Sequence, residues 1–401
     1  MRVNDLLSEL TAIGRSDETG GYRRFAWTRA DSDLREWFVG KAHALGLDVT
    51  EDRVGNQWAW WGDPDAAAAA GRPGVVTGSH LDSVPDGGNF DGPLGVASSL
   101  SAIATLQADG FTPDRPLGVV NFVDEEGARF GVACSGSRVL TGAMAPEHAL
   151  GLSDNDGITM AEALARAGRP VDAVGRDDET LARIGTFVEL HVEQGRYLAD
   201  TDFPVAVASS IWPHGRWRFD FAGEANHAGT TRLVDRRDPM LDLAALVQQA
   251  RAVATELGCV ATVGKVKVLP NGVNAIPSSV TGWLDARGAD EGAVRRLVPE
   301  LESRLGATAV NESFTADTRF DGDLARELAA LLGGVPVIGT GAGHDAGVLA
   351  TQGFSSAMLF VRNPTGMSHS PDEYADPDDC QSGVDALVAV LRDLAGDRSV
   401  S

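Results

Sequence analysis

The chain has 401 residues, 43% of them hydrophobic, and a formal net charge of −23 from 34 Lys and Arg against 57 Asp and Glu. That length exceeds one ordinary core and predicts two domains. The acidic balance excludes the positive footprint that nucleic acid or an anionic membrane requires.

No apolar run approaches the ~20 residues of a membrane span, and the polar start MRVNDLLSEL predicts no secretory leader. Cys134, Cys259 and Cys380 stand far apart with no CxxC pair, which predicts a reducing, cytoplasmic setting rather than a disulfide framework.

Helical spacing covers residues 3–13 and 33–45, the second with Ser32 or Asp33 as its N-cap. Residues 47–61 partly alternate and read as two strands joined at Gly55-Asn56. The stretch 63–74, DPDAAAAAGRPG, reads as a low-complexity surface loop. A short strand over 75–77 breaks at Gly78 and delivers His80 and Asp82 onto a turn; a helix follows over 94–107. Residues 117–123 form an apolar strand that runs into Asp124-Glu125-Glu126-Gly127. Residues 161–167 are helical, closed by Gly168, and 187–192 are a strand with His191 near its end. Strands alternating with helices predict parallel βαβ units.

The character changes near residue 209. Residues 216–221 alternate strictly, 226–237 are a polar loop, and Pro239–Leu257 is a long amphipathic helix. Residues 259–269, Ser279–Arg287 and 307–314 read as strands, with a helix over Glu291–Leu305. This order fits a small α+β layer of ferredoxin-like type. The predicted plan is an α/β domain from 1–208 and 321–401, with a mixed, mostly parallel sheet flanked by helices, interrupted by 209–320. The returning segment supplies a helix over 324–332, strands over 335–338 and 356–361, and the closing helix Pro377–Ala395.

His80, His191, His369 and the Glu125-Glu126 pair all fall near or after the C-terminal end of an apolar run. In an open α/β sheet those ends form one crest, where ligands bind. His80, Asp91, Glu126, His191 and His369 make a mixed N/O set without cysteine, suited to Zn²⁺, Mn²⁺, Co²⁺ or Ni²⁺ rather than to Ca²⁺ or Mg²⁺. Five ligands exceed one tetrahedral ion and fit two divalent ions that share a carboxylate. Two ions ~3.5–4 Å apart would lower the pKa of a water between them toward neutrality. Glu125 is placed to take that water's proton, and Asp82 to orient the His80 imidazole. There is no HExxH, no G-x-S-x-G and no Walker A, and GTGAGHDAG at 339–347 lacks the lysine of a phosphate loop. Cys134 reads as a structural thiol.

The segments GSHLDSVPDGGNFDGPLGV, VDEEGARFG, ELHVEQG, GEANHAGTTRL, PNGVNAIP, LDAR, GAGHDA and MSHSPDE follow one another through nearly the whole chain. Together they resemble the dinuclear-metal amidohydrolases of the hydantoinase/carbamoylase family, within the aminoacylase and carboxypeptidase-like zinc peptidase superfamily. The resemblance implies a zinc-exopeptidase-like fold with two divalent ions per subunit. One ion would be held by His80, Asp91 and His191, the other by Asp91, Glu126 and His369. It implies Glu125 as a general base that later passes its proton to the leaving nitrogen, and His227 as the stabiliser of the oxyanion. Gln194, Asn274, Arg287 and His344 would bind substrate, with Arg287 on a substrate carboxylate.

The inserted domain would form a homodimer and lend residues to the partner's site. The implied substrate is a small ureido or amide compound bearing a carboxylate, first an N-carbamoyl-L-amino acid cleaved to amino acid, CO2 and ammonia. Allantoate, carbamoyl-β-alanine and N-acyl-amino acids are the alternatives. A catalytically dead binding module is opposed by the intact Glu125 and the full ligand set. One departure is SSIWPHGRWRF at 209–219, where Trp212, Pro213 and His214 replace a blander strand.

Overall fold

β1 (Asp48–Glu51) and β2 (Gln57–Trp61) pair antiparallel, Asp48 opposite Trp60. Asp52 closes their turn. Its carboxylate accepts from the backbone N–H groups of Val54, Gly55 and Asn56 and from the Trp58 indole, which satisfies a buried polar group several times over. β3 (Gly74–His80), β4 (Leu117–Phe122) and β5 (Ile184–Val192) are buried almost throughout and β6 (Val205–Ile211) over most of its length.

The inserted stretch supplies β7 (His214–Ala222), β8 (Asn226–His227), β9 (Val260–Leu269), β10 (Ala275–Ile276), β11 (Ser279–Arg287) and β12 (Ala309–Thr315). The chain then returns through β13 (Thr318–Arg319), β14 (Val337–Thr340) and β15 (Ser355–Val361). The computed structural model describes residues 1–396. Their contacts gather into two units: Met1–Ser209 with the chain from Arg319 onward, and Ser210–Thr318.

The first unit is an α/β fold around a mixed sheet in the order β1-β2-β4-β3-β5-β15-β6-β13, with β14 paired to β6. β4, β3, β5 and β15 are parallel neighbours, so their C-terminal ends share one edge. Interior parallel strands have both faces covered and read as continuous apolar runs. One cover is the helix Pro93–Ala108, buried at every residue from Pro93 to Ile103. It shares a core with Leu6 and Leu10 of helix Val3–Leu10 and with Val384, Leu387 and Leu391 of helix Pro377–Ala395. A leucine at this depth is worth roughly 2–5 kcal/mol over alanine. Among the described residues no helix is long and apolar enough to cross a membrane.

Several local expectations change. Gly78 does not break its strand; β3 runs on to His80, with Gly78 at φ +148°. A Cβ there would stand 2.0 Å from the Val120 carbonyl oxygen on β4, so the glycine serves close strand approach. The alanine-rich loop is in part a helix, Pro64–Ala69, because Asp63 accepts from the N–H groups of Asp65 and Ala66 and Pro64 opens the first turn. The second helix begins earlier than predicted, at Arg29, capped by Thr28 Oγ1 rather than by Ser32 or Asp33.

The second unit has the antiparallel order β12-β7-β11-β9 with helices Pro239–Leu257 and Glu291–Leu305. On β7, Trp217, Phe219 and Phe221 alternate into the core with polar residues outside, as a half-covered strand requires. Within the predicted polar loop, β8 pairs with β10 and sets His227 opposite Ala275. β9 is an edge strand that exposes Val260, Val266 and Leu269.

Candidate metal centre

The parallel strand ends bring the predicted ligands of the first unit together. His80 closes β3 and His191 lies on β5, both fully buried. Asp91 precedes the helix Pro93–Ala108, separated from it by Gly92 at φ +83°. A Cβ on Gly92 would lie 2.4 Å from His80 Cε1, so only glycine lets the imidazole and this helix start share the space. Glu125 and Glu126 follow β4, and His369, half exposed, comes from the loop after β15.

Asp91 stands at the centre. Its Oδ1 lies 3.7 Å from His80 Nε2 and 3.2 Å from His191 Nε2. Its Oδ2 lies 3.5 Å from His369 Nε2, which is itself 3.6 Å from Glu126 Oε2. Two groups that could each hold a metal ion thus meet on the two oxygens of one carboxylate: His80, Asp91 and His191, and Asp91, Glu126 and His369.

Two metal–ligand bonds of about 2.0–2.1 Å at a tetrahedral angle set their donor atoms about 3.3–3.4 Å apart, and the four separations straddle that value. Among the described residues the Nε2 atoms of His80 and His191 are buried without a hydrogen-bond partner; His191 Nε2 is near Asp91 Oδ1 but badly angled for one. Buried imidazole nitrogens left unpaired and converging on a carboxylate fit a divalent cation. Glu189 and His344 form a further group with His191, the His191 and His344 rings 4.5 Å apart.

The ligands are oriented from behind. His80 Nδ1 hydrogen-bonds the Asp82 carbonyl oxygen at 3.1 Å, with the Asp82 carboxylate at 3.4 Å. The main chain of Asp82 therefore sets the imidazole more directly than the predicted carboxylate does. That carboxylate instead accepts from the N–H groups of Glu125 and Glu126 and fixes their turn. Gln194 Nε2 donates to Asp91 Oδ2 at 2.9 Å and to Ser368 Oγ.

His227, Asn274 and Arg287 belong to the second unit. His227 Nδ1 accepts from the Gly229 N–H, which leaves the proton on Nε2. The Asn274 carbonyl accepts from the Ala228 N–H. Arg287 Nε and Nη2 donate to the two oxygens of Asp285.

Two supporting residues escaped the sequence reading. Glu373 Oε2 accepts from the N–H groups of Phe90 and Asp91, so it holds the main chain of Asp91. Its signal was a carboxylate four residues after a loop histidine. Glu189, inside the buried β5, accepts from Ser79 Oγ and the Ala346 N–H; a carboxylate within an apolar run had to find such donors.

Burial and crowding set the protonation. Burial, with the neighbouring Asp82 and Glu189, pushes Glu125 up to about 7 against the opposing His80. Burial and Asp91 push Glu373 up to about 8. Burial works against charge on His80 and His191 too, yet the carboxylates of Asp82 and Glu125 and of Asp91 and Glu189 raise them. For Asp91, burial opposes ionisation, but His191, His80 and His369 hold it well below the usual range.

A raised folded-state pKa adds stability that is complete below the unfolded value and is lost as pH rises through the folded one. Chelated protein should therefore lose Tm between about pH 5 and about pH 8 as Glu125 and Glu373 ionise. Nearby divalent charge favours the ionised form of these carboxylates, so the Tm gain on reloading should grow across the same window. Thermal scans with and without metal test this, and a gain independent of pH contradicts it.

The sequence matches the profile of peptidase family M20/M25/M40 over residues 76–393. It is 34% identical to the N-carbamoyl-L-amino acid amidohydrolase of Geobacillus stearothermophilus, over 98% of each chain. It is 30% identical to the allantoate amidohydrolase of Escherichia coli, over 98% of this chain and 97% of that one. A crystal structure of a hydantoinase/carbamoylase family amidase from Burkholderia vietnamiensis superposes with a TM-score of 0.84 at 32% identity, over 98% and 96% of the two chains. The chain belongs to peptidase family M20/M25/M40, among its hydantoinase/carbamoylase amidases, and is a hydrolase of carbon–nitrogen bonds.

Proposed function

We propose that the protein cleaves the carbamoyl C–N bond of N-carbamoyl-L-α-amino acids to the amino acid, CO2 and ammonia. The observation that carries this reading is the carboxylate of Asp91 shared between two ligand triads, in a chain 34% identical throughout to an enzyme named for that substrate. Two divalent ions, Zn²⁺ or Mn²⁺ with Co²⁺ or Ni²⁺ as alternatives, would sit on His80, Asp91 and His191 and on Asp91, Glu126 and His369, supplying an acidified water and polarising the substrate carbonyl.

Glu125 presents Oε2 toward the cluster, 3.7 Å from His80 Nε2. In this reading it takes the proton of the attacking water and returns it to the departing nitrogen. Asp82 holds the turn of Glu125 and Glu126 and, through its carbonyl, the His80 ring. In this reading Gln194, beside Asp91, and His344, beside His191, bind substrate. His227 donates its Nε2–H to the substrate oxyanion, while Asn274 and Arg287 bind the substrate, Arg287 through its carboxylate. We assign the 209–320 insertion as the dimerising domain of a homodimer in which these three residues serve the partner's site. The exposed apolar edge of β9 supports that role. The three free cysteines fit a cytoplasmic enzyme.

The deciding assay uses chelated protein reloaded with each candidate ion. Its substrates are N-carbamoyl-L-amino acids, allantoate, carbamoyl-β-alanine, N-acyl-amino acids and a carbamoylated amine without a carboxylate. We expect no turnover when chelated, and kcat/KM at least about 10-fold higher for a carbamoyl-L-amino acid than for the others. A preference for allantoate, the substrate named for the Escherichia coli relative, would move the chain to that reading. Full activity under chelation would sink both.

A further inference from the structure

Cys134 has no part in the mechanism above, yet its thiol touches the residue assigned as the base. Sγ donates to Glu125 Oε1 at 3.1 Å, and both side chains are buried. The contact is built by the backbone. The N–H groups of Cys134, Ser135 and Gly136 donate in turn to the carbonyls of Glu125, Asp124 and Val123, laying this segment along the end of β4. Cys134 takes φ +55° at the head of helix Ser135–Thr141, a left-handed conformation that a non-glycine residue rarely adopts. Here the turn is what aims the thiol at the carboxylate.

A glutamate carboxylate turns in a broad, two-fold well about its last torsion, so burial alone does not settle which oxygen faces the ligands. A donor on one oxygen does. We propose that Cys134 is a positioning residue: its S–H, held by Oε1, fixes the carboxylate plane and keeps Oε2 toward the ligand triads. Burial, then the charges of Glu125 and Asp345, hold the thiol's pKa well above the ordinary range, so the donor keeps its proton at working pH. The proposal rests on Glu125 being the base.

The test compares metal-loaded, full-length Cys134→Ala, Cys134→Ser, Glu125→Gln and the Ala/Gln double variant for kcat, KM and metal content. Removing the donor should lower kcat about 10-fold, short of the ~100-fold that a 1 Å misplacement can cost, with KM within about 2-fold and metal content unchanged. Serine is little larger than alanine but restores an O–H donor, and should recover kcat to within about 3-fold of wild type. In the Glu125→Gln background the alanine change should do nothing further.

If Glu125→Gln keeps its turnover, the base reading falls. If it is inactive while Cys134→Ala matches wild type, the base stands and the positioning role falls. Serine as damaging as alanine overturns the role as well, because packing alone would then explain both. The infrared S–H band of Cys134 needs no cysteine variant. It should move to higher frequency in Glu125→Gln, and an unmoved band overturns the proposal.

Discussion

Glu125→Gln should retain both ions and lose turnover by about a thousandfold or more, within the range that general acid–base groups contribute. The side chain is buried and lies outside both triads that share Asp91. Glutamine keeps its shape and can still accept from the Cys134 thiol at Oε1, so the fold around the turn is undisturbed. What it lacks is a basic Oε2 on the face toward His80. Metal analysis of the purified variant, set beside kcat, separates base from ligand. Loss of one ion with the activity would make Glu125 a ligand, and turnover above about a tenth of wild type would remove it from the proton path.

Asp91→Ala should release both ions together and abolish activity. Oδ1 faces His80 and His191 while Oδ2 faces His369, so one substitution strips an anionic ligand from each triad. His369→Ala, by contrast, touches one triad only and should leave about one ion per chain. The stoichiometry of each variant after dialysis against limiting metal is the measurement. An Asp91→Ala protein that keeps two ions, or loses a single one, contradicts a shared ligand.

Much of the fold could be read in advance where local chemistry is complete within a segment. The helix Pro239–Leu257 begins at Asp238-Pro239, whose aspartate accepts from the Met240 N–H, and ends at Gly258 in a left-handed cap; both signals lie in the sequence. β11 matched its predicted bounds because its alternation is strict. The alanine-rich segment departs from the expected loop because the Asp63 cap and Pro64 start a helix that its low-complexity composition does not signal.

In the site, the residue types at the strand ends were legible, since His80, Glu126 and His191 each close or follow an apolar run. The division of labour was not. That Glu373 grips Asp91 from 282 residues away depends on two loops crossing at one edge, and that Cys134 meets Glu125 depends on a segment folding back along the end of β4. Such contacts have no period and no spacing, so only the folded chain displays them.

The place of β15 between β5 and β6 has a consequence for how the polypeptide is made. When the ribosome has delivered β5 and β6, the slot between them has no occupant, and it stays so until the whole insertion has emerged. The insertion is continuous and can complete its own sheet first. Until β15 arrives, the nascent sheet carries a bare apolar edge open to pairing with other chains. His369, the member of the second triad that follows β15, and Glu373, which holds the main chain of Asp91, are translated later still, so that triad can assemble only after β15 has emerged.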